Sequence, residues 1–143
     1  MNLFNRKKRP VAPYDSLEHE KKFAIYFLLE YLTMNGVPFN EQSWAFKYLE
    51  KAAKGLGITD RQIQDFRPFY SSYEKITEYI KSIRNRHILE LIISSCSNLF
   101  ILMDGGTKHK ELGIQAYKLY EELGFSYDDV RKIVRENQYR SEF

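Results

Sequence analysis

At 143 residues, with 43% apolar and 29% charged side chains, the chain has the length and balance of one ordinary globular domain. It is neither disordered in composition nor dependent on disulfides or metal to build a core. The single cysteine, Cys96, excludes an internal disulfide and suits a reducing compartment, and a formal charge of +3 permits an anionic partner without demanding one.

Residues 1–14 carry Arg6, Lys7, Lys8 and Arg9, then Pro10 and Pro13, and offer little to pack. They are expected to form a flexible basic arm able to touch nucleic acid, an acidic protein or anionic lipid. No apolar run follows the basic residues, so a secretory leader is not expected and the default location is the cytoplasm. A single helical domain is expected over 15–137, with a polar tail at 138–143.

Asp15-Ser16-Leu17-Glu18 has the spacing of a capping box and should open a helix carrying Phe23, Tyr26, Phe27, Leu29, Tyr31 and Leu32, which stops at Asn35-Gly36. After Pro38, Asn40 should cap a second helix with Trp44, Phe46, Tyr48, Leu49, Ala52, Ala53 and Leu56 on its apolar side, closed by Gly57 in a left-handed conformation. Thr59-Asp60-Arg61-Gln62 is another capping box, opening a short helix that Pro68 ends. Ser71-Ser72-Tyr73-Glu74 starts the next helix, with Ile76, Tyr79, Ile80 and Ile83 on one face; the sequence leaves open whether it breaks near Asn85.

Arg86–Gly106 is the most apolar stretch and is expected to be the central helix, with Leu91, Ile101 and Leu102 broadening its stripe until other helices surround it. Its serines, Asn98 and Glu90 make it too short and polar to cross a bilayer. A helix from about Lys108 to Gly124 carries Leu112, Ala116, Leu119, Tyr120 and Leu123. Ser126-Tyr127-Asp128-Asp129 then caps a last helix with Val130, Ile133 and Val134. No stretch alternates like a strand, so the fold class is all-α with six to seven helices. Eleven Tyr and ten Phe either fill gaps between these helices with hydroxyls outward or form a partner-binding surface.

The order of features repeats: apolar helix, Asn35-Gly36 or Asp104-Gly105, second helix, Leu-Gly-apolar-Thr/Ser stop, and a short helix with an acidic start. Asn35 and Asp104 are 69 positions apart and Leu56 and Leu123 are 67 apart, a length difference of two. The halves, about 16–66 and 71–137, are expected to pack about a pseudo-twofold axis, with Asn35–Asn40 and Asp104–Lys110 at related positions.

The segment DGGTKHKELGIQAYKLYEELGFSYDDVRKI resembles the second repeat of the tellurite-resistance TerB-like domain, which also occurs in the N-terminal region of DjlA-type co-chaperones. The resemblance covers roughly residues 20–135 through the Asp104-Gly105 turn, Glu111 seven positions after the Asp, and the Leu123–Ser126 stop. It implies an all-helical bundle working by protein interaction in bacterial or phage stress response or defence. It also implies a divalent cation such as calcium at Asp104 and Glu111, for which carboxylate oxygens are suitable ligands. The matching first-half positions, Asn35 and Gln42, are neutral, which weakens such a site; a turn-supporting Asp104 and a solvated Glu111 are the plainer alternative.

No catalytic signature stands out. His19, His87 and His109 are isolated, Cys96 sits within an apolar stripe, Ser94, Ser95 and Ser97 lack a nucleophile elbow, and Gly105-Gly106 is not a phosphate loop. The expectation is a non-enzymatic protein without a cofactor, whose partner is another protein or a second copy of itself. The alternative is nucleic-acid contact through Arg6, Lys7, Lys8 and Arg9, through Lys81, Arg84 and Arg86, and through Arg131, Lys132 and Arg135. Glu74, Glu78, Glu90, Asp128, Asp129 and Glu136 are interleaved with those basic residues.

Overall fold

The structure, a computed structural model, describes residues 17–37, 42–103 and 109–137. Arg6, Lys7, Lys8, Arg9, Asp15, Asn40 and Asp104 lie outside that set. The described residues form α1 (His19–Gly36), α2 (Gln42–Leu56), α3 (Asp60–Phe66), a 3-10 turn (Arg67–Tyr70), α4 (Tyr73–Lys81), α5 (Arg86–Leu102), α6 (His109–Glu122) and α7 (Tyr127–Asn137). There is no strand among them, as the sequence leads one to expect. No helix of the described residues is long and apolar enough to cross a membrane.

The helix at the centre is α1 rather than α5. Phe23 to Leu29 are seven consecutive buried residues, so α1 is enclosed on every side. Helices α2, α4, α5 and α6 all pack on it. α5 is also deeply buried through Ile88, Leu91, Ile92, Ile93, Cys96 and Leu99, and it packs most closely on α7. Its last turn is different: Ile101 and Leu102 are 63% and 56% exposed. The apolar length of α5 overstates its burial, because hydropathy along a chain does not report where neighbouring helices end.

Most helix boundaries follow local chemistry. Thr59 and Gln62 complete a reciprocal capping box at α3, and Ser126 and Asp129 do the same at α7. Ser72 caps α4 through the Lys75 N–H, and Asn85 caps α5 through the Ile88 N–H, so the chain does break between them. Pro68 falls in the 3-10 turn that follows α3. The first boundary departs from expectation: α1 begins at His19, and Leu17 and Glu18 precede it outside the helix. Glu18 is extended (ψ 149°) and acts as N-cap with no side-chain cap bond, its carboxylate instead taking the Lys21 ammonium at 2.7 Å.

Gly57 and Gly124 have φ of +75° and +93°, the left-handed stop that favours glycine. Each closes a Schellman turn, with Ile58 N–H donating to Ala53 O at 3.0 Å and Phe125 N–H to Tyr120 O at 2.9 Å. Gly36 serves a different purpose. It is the last residue of α1, and a Cβ there would meet Met103 Sδ at 2.7 Å and Leu112 Cδ1 at 3.0 Å. The glycine leaves the space beside the end of α1 to the tips of the Met103 and Leu112 side chains.

Three helix starts share one spacing. His19 and Arg86, Gln42 and His109, and Asp60 and Tyr127 are each 67 residues apart. The Schellman turns and capping boxes coincide at the same spacing, as do the buried pairs Ala45/Leu112, Leu49/Ala116, Ile58/Phe125 and Ile63/Val130. The two-residue difference read from Asn35 and Asp104 is therefore absent from the helix starts. Packing is not duplicated in the same way. α1 is flanked chiefly by α4 and α2, whereas α5 is flanked chiefly by α7.

Candidate functional site

A groove of about 850 Å³ lies where α1, α2 and α3 meet. Leu49, Ala53, Ile58 and Ile63 are buried beneath it, and Met34 is half-buried at its side. Phe46 stands at the mouth, 59% exposed, although its helical position reads as core. The α2 wall presents Lys47, Lys51 and Lys54, spaced i, i+4 and i+7 on one stripe.

One wall of this groove is an ion pair. Arg67 donates to both carboxylate oxygens of Glu30 at 2.6 and 3.0 Å, and its guanidinium lies 5.2 Å from the Phe27 ring centroid. The hydrogen bond to Glu30 holds the Arg67 guanidinium above its ordinary pKa. Burial, followed by the charge of Glu30, pushes the Tyr26 hydroxyl up to about 12.

Beyond this pair lies a second groove of about 630 Å³, whose lining includes Phe27, Tyr31, Tyr70, Tyr73 and Ile76. Its tyrosine hydroxyls do not point outward as expected. Tyr70 donates to Glu20 O at 2.7 Å, Tyr73 to Gln115 O at 3.2 Å and Tyr31 to Gln115 Oε1 at 3.2 Å. These bonds tie α1, α4 and α6 together and leave rings to line the groove. Burial raises the hydroxyl pKa values of Tyr70 and Tyr73.

The residues singled out from the sequence fall elsewhere. Glu111 is exposed and lines a small cleft with Tyr31, Asn35, Leu112 and Gln115. Its expected partner Asp104 lies outside the described residues, so the pair has no measurable geometry. Among the described residues no three His, Cys, Asp or Glu side chains come together as a metal site.

The basic segments are brought near one another because α5 packs on α7, but acids come with them. Lys81 pairs with Glu122 at 3.1 Å, and Arg86 pairs with Glu90 at 3.5 Å while lying 4.2 Å from the Phe125 centroid. Arg131 lies 5.8 Å from the Tyr127 centroid, and Arg84, Lys132 and Arg135 are exposed. Asp129 sits among them. Its carboxyl is held below the usual range first by hydrogen bonds from Ser126, then by Arg86 and Lys132. The result is a surface of mixed charge. Cys96 is fully enclosed in α5, and burial pushes its thiol up to about 12, the opposite of a nucleophile's environment.

The groove on α1–α3 was not found by sequence reasoning, though two signals point to it. Glu30 is the lone charge in the apolar run of α1, and the lysine stripe is legible in the spacing of α2. Comparison of the chain with protein-family models, with curated proteins and with solved structures gave no match.

Proposed function

We propose that this chain is a non-enzymatic helical module that works by binding another protein, built on the TerB-like plan. The observation that carries the reading is the α1–α2–α3 groove, with an apolar floor, an uncovered Phe46 and a charged rim. Interfaces of this kind join an aromatic anchor to a polar margin. The common spacing of three helix starts supports a duplicated order of elements, while the unequal packing of α1 and α5 gives no support to a pseudo-twofold axis between the halves. The resemblance supplies the setting, bacterial or phage stress response or defence. The nucleic-acid alternative is supported less well, since the basic residues of α4, α5 and α7 are interleaved with Glu90, Glu122 and Asp129.

The test is site-specific photo-crosslinking in extract from the source cells. A photoreactive phenylalanine at position 46 should give a discrete protein adduct that nuclease leaves intact. The same label at Glu136, on the exposed side of α7, should give none. A nuclease-sensitive adduct, or identical products from both positions, would overturn the reading.

A further inference from the structure

We propose that the groove between α1, α2 and α3 receives an acidic amphipathic helix carried by a partner protein. This rests on the reading of the chain as a protein-binding module and names the chemistry of its partner.

The charges of the groove favour that occupant. Glu30 and Arg67 satisfy each other, so the one carboxylate deep in the groove does not repel an incoming acid. The α2 wall then carries Lys47, Lys51 and Lys54 against Glu50 alone, and Asp60 stands on the facing wall. None of the three lysines has an ion-pair partner among the described residues. They run along one helical stripe over two turns, a distance of roughly 10 Å. A second helix with carboxylates at the same i, i+4, i+7 spacing can meet all three ammonium groups at once.

The floor sets the rest of the occupant's chemistry. Leu49, Ile58 and Ile63, each only 3–5% exposed, make a shallow apolar bed across α2 and α3, and Phe46, 59% exposed, supplies the open apolar ring beside it. An amphipathic helix fills such a bed with apolar residues at i, i+3, i+4 and i+7. The described residues offer no sheet edge, so an extended peptide has no strand to join. The lysine stripe and the apolar bed therefore select opposite flanks of one helix.

The test uses fluorescence anisotropy on the full chain with four labelled probes: a Leu/Glu amphipathic peptide helix, its Leu/Lys counterpart, a short single-stranded DNA and anionic phosphatidylglycerol vesicles. The Leu/Glu peptide is expected to bind at least about tenfold tighter than the Leu/Lys peptide. Lys47→Glu, Lys51→Glu and Lys54→Glu together should reverse that order. Phe46→Ala should weaken binding without reversing it. All four positions are exposed, and unchanged thermal melts will show that the variants fold.

Equal or tighter binding of the Leu/Lys peptide to the native chain overturns the acidic occupant. If that binding is weakened by Phe46→Ala, the wider protein-binding reading still stands. Preferential binding of the DNA or vesicles, lost on lysine reversal, overturns both. Binding of none of the four overturns the inference, and the crosslink at position 46 then decides the wider reading separately.

Discussion

Arg67 reaches across 37 residues of sequence to hold both oxygens of Glu30, and that pair stands as the wall between two grooves. The two sides are unequally exposed, with the Arg67 side chain at 44% and Glu30 at 20%. Losing the arginine should therefore cost more than neutralising the acid. Arg67→Ala strands a half-buried carboxylate beside Tyr26 and is expected to destabilise by about 1–2 kcal/mol, between the ranges for exposed and buried pairs. Glu30→Gln keeps the shape and one acceptor and should cost less. Urea unfolding of the two variants and their double mutant will measure the difference.

Gly36 tests whether closeness or flexibility is what its position requires. A Cβ at this site runs into Met103 Sδ and Leu112 Cδ1, and Met103 is itself buried. The atoms it meets are the ends of flexible side chains, so Gly36→Ala is expected to cost at most about 1 kcal/mol, the overpacking being partly offset by the better helix propensity of alanine. Met103→Ala alone empties a buried position and is costly itself, so the double mutant should cost less than the sum of the two single changes. Additive costs in the double mutant would mean that the two side chains do not compete for one space.

The two capping boxes should behave as equals. Thr59→Ala and Ser126→Ala each remove the acceptor for a first-turn N–H, at Gln62 and at Asp129. Each is expected to lower stability by about 1 kcal/mol, read from denaturant midpoints. An effect at one box and none at the other would show that tertiary packing alone fixes one of those helix starts.

High pH should unfold the protein earlier than exposed groups would. Burial raises the hydroxyls of Tyr26, Tyr70 and Tyr73 and the thiol of Cys96 in the folded chain. Once unfolded, these groups return to ordinary values near 10 for tyrosine and 9 for cysteine. From about pH 9 upward the unfolded chain therefore releases protons that the folded chain retains, and stability falls as pH rises. Thermal midpoints should be flat near neutrality and drop through this window. Tyrosinate absorbance should show one class of tyrosine that titrates only on unfolding.

Calcium and EDTA provide the check on Asp104 and Glu111. With neutral residues at the matching first-half positions, neither is expected to move the thermal midpoint. A rise with calcium that Asp104→Asn abolishes would restore a cation to that turn.

The helices were legible because their boundaries are local. Thr59, Gly57, Ser126 and Gly124 act on backbone groups within a few residues, so their roles can be read from the sequence. Asn85 was ambiguous only because the charged residues around it suit a helix as well as a break. Burial was less legible. Phe46 and Ile101 occupy apolar positions but are exposed, because no helix among the described residues extends over them. The grooves were illegible for the same reason. Glu30 and Arg67 meet through the packing of α1 against the turn after α3, which no local pattern encodes. The tyrosine hydroxyls turn inward because Glu20 and Gln115, distant in sequence, offer them acceptors.

The unit from Ala53 to Ile63, matched from Tyr120 to Val130, satisfies its own backbone: a Schellman stop and, two residues on, a reciprocal cap. A joint of that kind carries its own instructions and owes little to the surface it eventually lies on. The chain path is therefore alike at the two joints while the helices that follow differ, the first ending at Phe66 before Pro68 and the second reaching Asn137. A joint built this way sets a direction for the chain and leaves the faces on either side free to differ.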